Sequence, residues 1–246
     1  MDRGMVIVIG ALLTFTSSWL GLVLFPFWQL TDEMPFVEAP GEEPYPRPLS
    51  NKARAGVIVY QANGCMYCHS QQVRSERFGN WWEDGQMKTG ADIKRGWGLR
   101  RTVSRDYIYD RPIMLGTMRT GPDVANVGAR RYSEAWHHNH LLNPRSINSW
   151  SIMPSFAFLY TRAKATGGQK SDKALNLGRE WTVEPGRRWH PGDSVLNRIQ
   201  GSSSRELWLS SEEEEYQILP SSDAESLVAY LLELRKAETP LPEAKE

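Results

Sequence analysis

A mainly α-helical fold, with one membrane-spanning helix at the N-terminus and then a helical domain carrying long loops, is predicted by this 246-residue sequence. Three observations predict it. An uncharged, apolar run extends from Gly4 to Leu30, helix signals bracket a loop-rich centre, and Cys65-Met66-Tyr67-Cys68-His69 follows directly on the first of those helices. The chain beyond the apolar run suffices for one domain with its own core. Its 29 basic and 29 acidic residues leave no net charge to steer a polyanion, and the basic residues are scattered, so nucleic-acid binding is not expected.

The apolar run GMVIVIGALLTFTSSWLGLVLFPFWQL exceeds the roughly 20 residues needed to cross a bilayer core. It is too long for a signal-peptide apolar region and no small-x-small cleavage pattern follows, which predicts a retained anchor. Phe27 and Trp28 stand where an interfacial aromatic belt would be. Arg3 precedes the run, and Asp32, Glu33, Glu38, Glu42 and Glu43 follow it, which favours a cytoplasmic N-terminus. Thr31 to Pro48 holds prolines at 35, 40, 44, 46 and 48 and reads as a stiff linker.

Asn51 to Ala62 reads as a helix, with Asn51 as its cap, Gly56 small enough for another helix to approach, and Asn63-Gly64 as its stop. Asp223 to Arg235 reads as an amphipathic helix capped by Asp223, with Leu227, Tyr230, Leu231 and Leu234 at helical spacing. Tyr132 to Leu142, with Ser133 as cap and Asn143-Pro144 as stop, is a third helical segment. The boundaries drawn from these signals are an anchor over 1–30, a linker over 31–50, a domain over 51–236 and a tail over 237–246. Glu212 to Glu215 reads as a solvated acidic face.

Both cysteines of the chain lie in Cys65-Met66-Tyr67-Cys68-His69, so no thiol is left for a disulfide. C-x-x-C-H is the attachment signature of a c-type haem: each thiol takes a porphyrin vinyl as a thioether, and the neighbouring imidazole ligates the iron. A zinc site would need further ligands at fixed spacing, and no second cysteine pair exists. A thioredoxin-like dithiol would need a βαβ setting, which the surrounding Pro, Gly and polar segments do not offer. For the sixth iron position Met153, followed by Pro154, is the candidate, since a neutral thioether favours reduced iron. His137, His138 and His140 are the rivals, although they lie on different azimuths of one short helix and read more simply as surface or subunit-contact residues. His190 is a loop residue with no evident partner.

A helix before C-x-x-C-H and an amphipathic helix at the C-terminus resemble the two packing elements of a class I cytochrome c domain, here with long loop insertions. A more specific resemblance follows the motif. CMYCHSQQVR, then YIYDRPIMLGTMRTGPDVANVGARRYSEAWHHNHLLNPRSINSWSIMPSF, resembles the membrane-anchored mono-haem cytochrome c subunit, the O subunit, of cbb3-type cytochrome c oxidases from about Gly64 to Phe158. The specific pieces are C-x-x-C-H-S-Q-x-V-R, R-T-G-P-D at Arg119 to Asp123, R-Y-S-x-x-W-H at Arg131 to His137, and N-P-R followed by M-P.

The resemblance implies one covalently bound haem c, with Cys65 and Cys68 as thioether attachments and His69 and Met153 as axial ligands. It implies that the Pro122 carbonyl accepts the Nδ1 proton of His69. Arg74 and Arg119 are candidates to pair with haem propionates, or else are surface or inter-subunit arginines. Implied partners are a multi-helix catalytic oxidase subunit with haem b and copper, and another cytochrome c subunit or a soluble cytochrome c as electron donor. The implied location is the bacterial cytoplasmic membrane, single-pass, with the haem domain in the periplasm. Two other roles fit the same layout: a free-standing anchored electron-shuttle cytochrome, and the cytochrome c subunit of nitric oxide reductase. After Val73-Arg74 the family's Pro-Phe is replaced by Ser75-Glu76-Arg77, and Phe78 to Thr102 and Thr161 to Pro220 match poorly. Trp81, Trp82 and Trp97 in the first of these read as partner contacts or as a cover for the haem.

Overall fold

The computed structural model describes residues 3–31, 44–75, 77–78, 81–88, 90–130, 132–164, 171–175 and 216–238. Most of the Pro-rich linker, His190, Glu212 to Glu215 and the tail beyond residue 238 lie outside the described residues. The described residues form a mainly α-helical structure in two compact units, one drawn from Met1–Pro48 and Thr102–Ile113, the other from Leu49–Arg101 and Met114–Thr239. Residues 102–113, which the sequence boundaries assign to the C-terminal domain, therefore group with the N-terminal unit.

In the N-terminal unit, α1 (Arg3–Trp19), a π-helical turn (Leu20–Leu24) and α2 (Phe25–Thr31) run on from one another. The stretch Arg3–Gln29 is 27 residues long and apolar enough to cross a membrane. The π-turn has a local cause: Pro26 offers no N–H and its ring crowds the carbonyl one turn back, and widening the preceding turn relieves both. Thr14 Oγ1 donates to Gly10 O at 2.9 Å and Ser17 Oγ to Thr14 O at 3.0 Å, so these hydroxyls are satisfied by their own helix. Elsewhere in this unit the buried Asp106 accepts from Tyr45 Oη and from the Val103 N–H, each at 2.8 Å.

The second unit is built on two crossed helices, α3 (Asn51–Ala62) and α7 (Ser222–Glu233). Each starts one or two residues earlier than the sequence suggests. Ser50, not Asn51, caps α3 by accepting from Ala53 N, and Ser221, not Asp223, caps α7 by accepting from Ala224 N. Ser50 also donates to Glu233 through both its hydroxyl (2.6 Å) and its N–H (2.8 Å), which ties the start of α3 to the end of α7. Gly56 makes the crossing possible: a Cβ there would sit 2.0 Å from Ser226 O. Tyr60 and Tyr230 meet edge to face at 5.4 Å in the same layer.

Around this pair lie α4 (Ala91–Lys94), α5 (Glu134–Leu142) and α6 (Pro144–Ile147). Ser133 caps α5 as its sequence position suggests. Two short antiparallel sheets have no counterpart in the sequence reading: β1 (Trp81–Glu83) with β2 (Gln86–Lys88), and β3 (Tyr160–Lys164) with β4 (Tyr216–Pro220), where Arg162 faces Ile218. The core joins Tyr60, Met114, Leu141, Leu142, Phe156, Leu159, Leu227, Val228 and Leu234. Gly128 closes on the far end of α7, where a Cβ would lie 2.0 Å from Leu232 O, and its N–H donates to Leu234 O at 2.9 Å.

Candidate functional site

The site begins where α3 stops. Gly64 takes φ +68, a left-handed conformation open to glycine at little cost, and turns the chain out of the helix into a 3-10 turn over Cys65–Tyr67. Cys65 and Cys68 are free thiols, the first partly buried and the second exposed. Burial pushes the Cys65 thiol up to about 11. Cys65 and Met66 pack against the core together with Met153, which the chain brings back from far along the sequence.

His69 Nδ1 lies 2.8 Å from Pro122 O. A carbonyl can only accept, so Nδ1 carries the proton and the lone pair is left on Nε2, the tautomer a metal ligand needs. Burial pulls the His69 pKa down, which keeps the ring neutral. Gly121 lies flat against the ring: a Cβ there would be 2.3 Å from His69 Cε1, so any larger residue would displace the imidazole. Gly116, at φ +79, comes similarly close to His69 O.

Segments 68–72 and 121–124 are fastened together rung by rung. Gly121 N donates to Cys68 O at 2.9 Å, Ser70 Oγ to Asp123 Oδ2 at 2.6 Å, Gln72 N to the same oxygen at 2.7 Å, and Val124 N to Ser70 O at 2.8 Å. The His69–Pro122 bond is one rung of this ladder. Gln71, fully buried, reaches α7, where its amide and the Tyr230 hydroxyl exchange bonds of 2.8 and 3.1 Å.

The arginines named from the sequence share one carboxylate. Arg74 binds Asp92 through its backbone N–H and its side chain, the closest contact being 2.7 Å, and Arg119 Nη1 lies 2.8 Å from both Asp92 oxygens. Arg119 also donates to Ser70 Oγ at 2.8 Å and to Gln72 O, and it lies 3.5 Å from Asp123. Asp92 is 2% exposed. Burial alone would raise its pKa, but hydrogen bonds from Arg74 and Arg119 outweigh that and hold it down at about 2.

Sequence reasoning passed over a third arginine. Arg130 donates to Asp123 O at 2.6 Å, while its Nε is buried with no hydrogen-bond partner among the described residues. His137 Nε2 and His140 Nδ1 are likewise buried and without a partner among the described residues. His137 and His138 are 3% and 4% exposed, contrary to the surface reading. The His138 ring meets the Tyr160 hydroxyl at 3.1 Å, whereas His140 stacks on Trp136 at 4.8 Å. The charges of Asp123 and Arg130 are felt at His69, that of His69 at His140, and those of His140, His138 and Arg130 at His137. Burial foremost holds His137 and His140 at about 4, so both are neutral at pH 7. No local pattern marks Arg130 or Asp92; only their position in the fold shows what they do.

These residues fit a covalent haem: two free thiols at the attachment spacing, an imidazole whose lone pair is left on Nε2, a thioether in the same side-chain cluster, and buried nitrogens without a hydrogen-bond partner among the described residues that a propionate could meet. Among curated proteins none matches the chain. The family model described as cytochrome C oxidase, mono-heme subunit/FixO, matches residues 7–237, which takes in the apolar helix, the C-x-x-C-H segment and α7 alike. An anchor-like helix and a helical domain built around an oriented histidine thus accompany a match over nearly the full length, and the chain belongs to the FixO family of mono-haem cytochrome c oxidase subunits.

Proposed function

We propose that this subunit relays single electrons within a cbb3-type haem-copper oxidase, taking them from another cytochrome c subunit or a soluble cytochrome c and passing them to haem b of a multi-helix catalytic subunit. Cys65 and Cys68 would hold one haem c by thioethers, and His69 Nε2 and Met153 would ligate its iron. Bound there, the haem supplies a one-electron iron couple. The observation that carries the reading is the 2.8 Å bond from His69 Nδ1 to Pro122 O, which orients an imidazole with its free nitrogen beside two unpaired cysteines.

The chain's own residues bind, orient and exclude water. Pro122 and Gly121 fix the plane of the His69 ring. The Tyr60, Leu227 and Tyr230 layer seals the core behind it, and a dry surrounding with a neutral thioether ligand favours ferrous iron. Arg130, His137 and His140 carry buried nitrogens without a hydrogen-bond partner among the described residues and join Arg74 and Arg119, which already share Asp92, as candidates to meet propionates. The apolar helix anchors the subunit in the bacterial cytoplasmic membrane, with the haem domain on the periplasmic side.

The test combines composition and turnover. The purified complex is expected to contain one covalent haem on this chain by the pyridine haemochrome assay, and to co-purify with a multi-helix subunit containing haem b and copper. His69→Ala, in complexes whose subunit content has been verified, is expected to abolish oxygen consumption with a cytochrome c donor while preserving it with an artificial donor that reaches haem b directly. Wild-type turnover in an assembled complex lacking this haem would refute the relay.

A further inference from the structure

We propose that Asp123 is a positioning residue that sets the reduction potential of this centre through its fixed buried charge, with Arg119 as the counterweight. The inference rests on the reading of His69 as the proximal ligand of a covalent haem and goes beyond it, since no motif assigns Asp123 a role.

The geometry is specific. Asp123 directly follows Pro122, whose carbonyl takes the His69 Nδ1 proton, and its Oδ2 accepts from Ser70, which directly follows His69. The carboxylate thus spans the two chain segments that form the His69–Pro122 bond. It is 0% exposed and accepts from Ser70 Oγ (2.6 Å), Gln72 N (2.7 Å) and Ala125 N (2.9 Å). Its one basic side-chain contact among the described residues is Arg119, at 3.5 Å, and that guanidinium is shared with Asp92 at 2.8 Å. Arg130 meets the Asp123 backbone carbonyl instead of its carboxylate. A carboxylate this deeply buried is costly to place unless it is needed, and three of its four contacts are neutral donors or backbone groups that leave its charge in place.

Two effects then act in the same direction. A negative charge beside the imidazole stabilises ferric over ferrous iron by direct Coulomb attraction, little screened in a dry interior. The same charge draws the Nδ1 proton toward the Pro122 carbonyl side, raising the electron donation of Nε2 to the metal. Asp123 therefore lowers the potential that a neutral thioether and a dry pocket would otherwise raise, and Arg119 offsets part of that lowering.

The sign separates this from a structural role. A substitution that merely loosens the site lets water in, which favours ferric iron and lowers the potential. Asp123→Asn is expected to raise the midpoint potential in an equilibrium redox titration followed at the haem c absorption band of the detergent-solubilised full chain. Asp123→Glu is expected to restore it toward wild type. A potential in Asp123→Asn that is unchanged or lower overturns the proposal. If Asp123→Asn does not take up haem, Arg119→Gln and Arg74→Gln decide: both remove a partner of Asp92, but only Arg119 touches Asp123, so Arg119→Gln must lower the potential more. Equal shifts overturn the proposal. Absence of covalent haem from the wild-type chain by pyridine haemochrome would instead sink the proximal-ligand reading, and this inference would fall with it.

Discussion

Replacing Gly56 by alanine sets two effects of opposite sign against each other. In a helix interior the change normally stabilises by about 1 kcal/mol, because glycine loses more backbone freedom on folding. Here the new Cβ would meet Ser226 O at 2.0 Å and the Cβ of Tyr230 at 2.7 Å, so α3 and α7 must part by about 1.4 Å to restore an ordinary 3.4 Å contact. The obstacle is backbone, so no rotamer change relieves it. Overpacking of this kind costs about 1–3 kcal/mol. Parting the helices also opens the layer of Tyr60, Leu227 and Tyr230, each no more than 3% exposed, and a gap of about 0.5–1 Å already forfeits a quarter to a half of the dispersion well depth. With a backbone obstacle the cost falls at the upper end of that range and exceeds the gain, and the expected net loss is about 1–2 kcal/mol. The assay is urea unfolding of the haem-loaded chain in detergent, followed by circular dichroism and haem absorbance, with wild type and Gly56→Ala compared at equal slope. A variant as stable as wild type, or more stable, would refute the reasoning that this crossing is set by backbone contact.

Two further outcomes are expected. Met153→Ala should abolish the methionine-to-iron charge-transfer band at the red end of the oxidised spectrum and lower the potential; an unchanged band would move the sixth ligand to His137, His138 or His140. Asp92, whose pKa is held at about 2 in the folded chain, contributes stability that is fully present above the ordinary carboxylate range and lost as pH falls from about 4 to 2. With Arg74 34% exposed, screening leaves that contribution on the order of 1 kcal/mol. Asp92→Asn should be less stable at pH 7 and should lack this acid-side loss, which stability measurements at graded pH in wild type and variant would show; parallel pH curves would refute it.

How much of this was legible in the sequence depends on the range of the interaction. Local signals served well: the α3 and α7 segments, the Ser133 cap and the close approach at Gly56 all follow from residue type and periodicity. The caps at Ser50 and Ser221 were displaced because Asn51 and Asp223 are equally good capping residues by type, and only the fold decides which hydroxyl or carboxylate faces the free N–H groups. β3 and β4 stayed hidden because five-residue strands far apart in sequence leave no pattern in either one. That Arg74 and Arg119 share Asp92 is invisible in the sequence, because Asp92, 18 and 27 residues away from them, carries no signal of its own. The burial of His137 follows from α5 lying against the core, which composition alone does not reveal.

The tie between Ser50 and Glu233 joins positions 183 apart, and Gln71 meets Tyr230 across 159 residues. Because a chain is made from its N-terminus, α7 can dock only long after the segments it joins have been made. Until Ser222–Glu233 docks, α3 has only water opposite Gly56 and Tyr60, and the cysteines behind it sit on a helix end with no fixed backing. Loss of Ser222–Glu233 removes one of the two walls that this core requires.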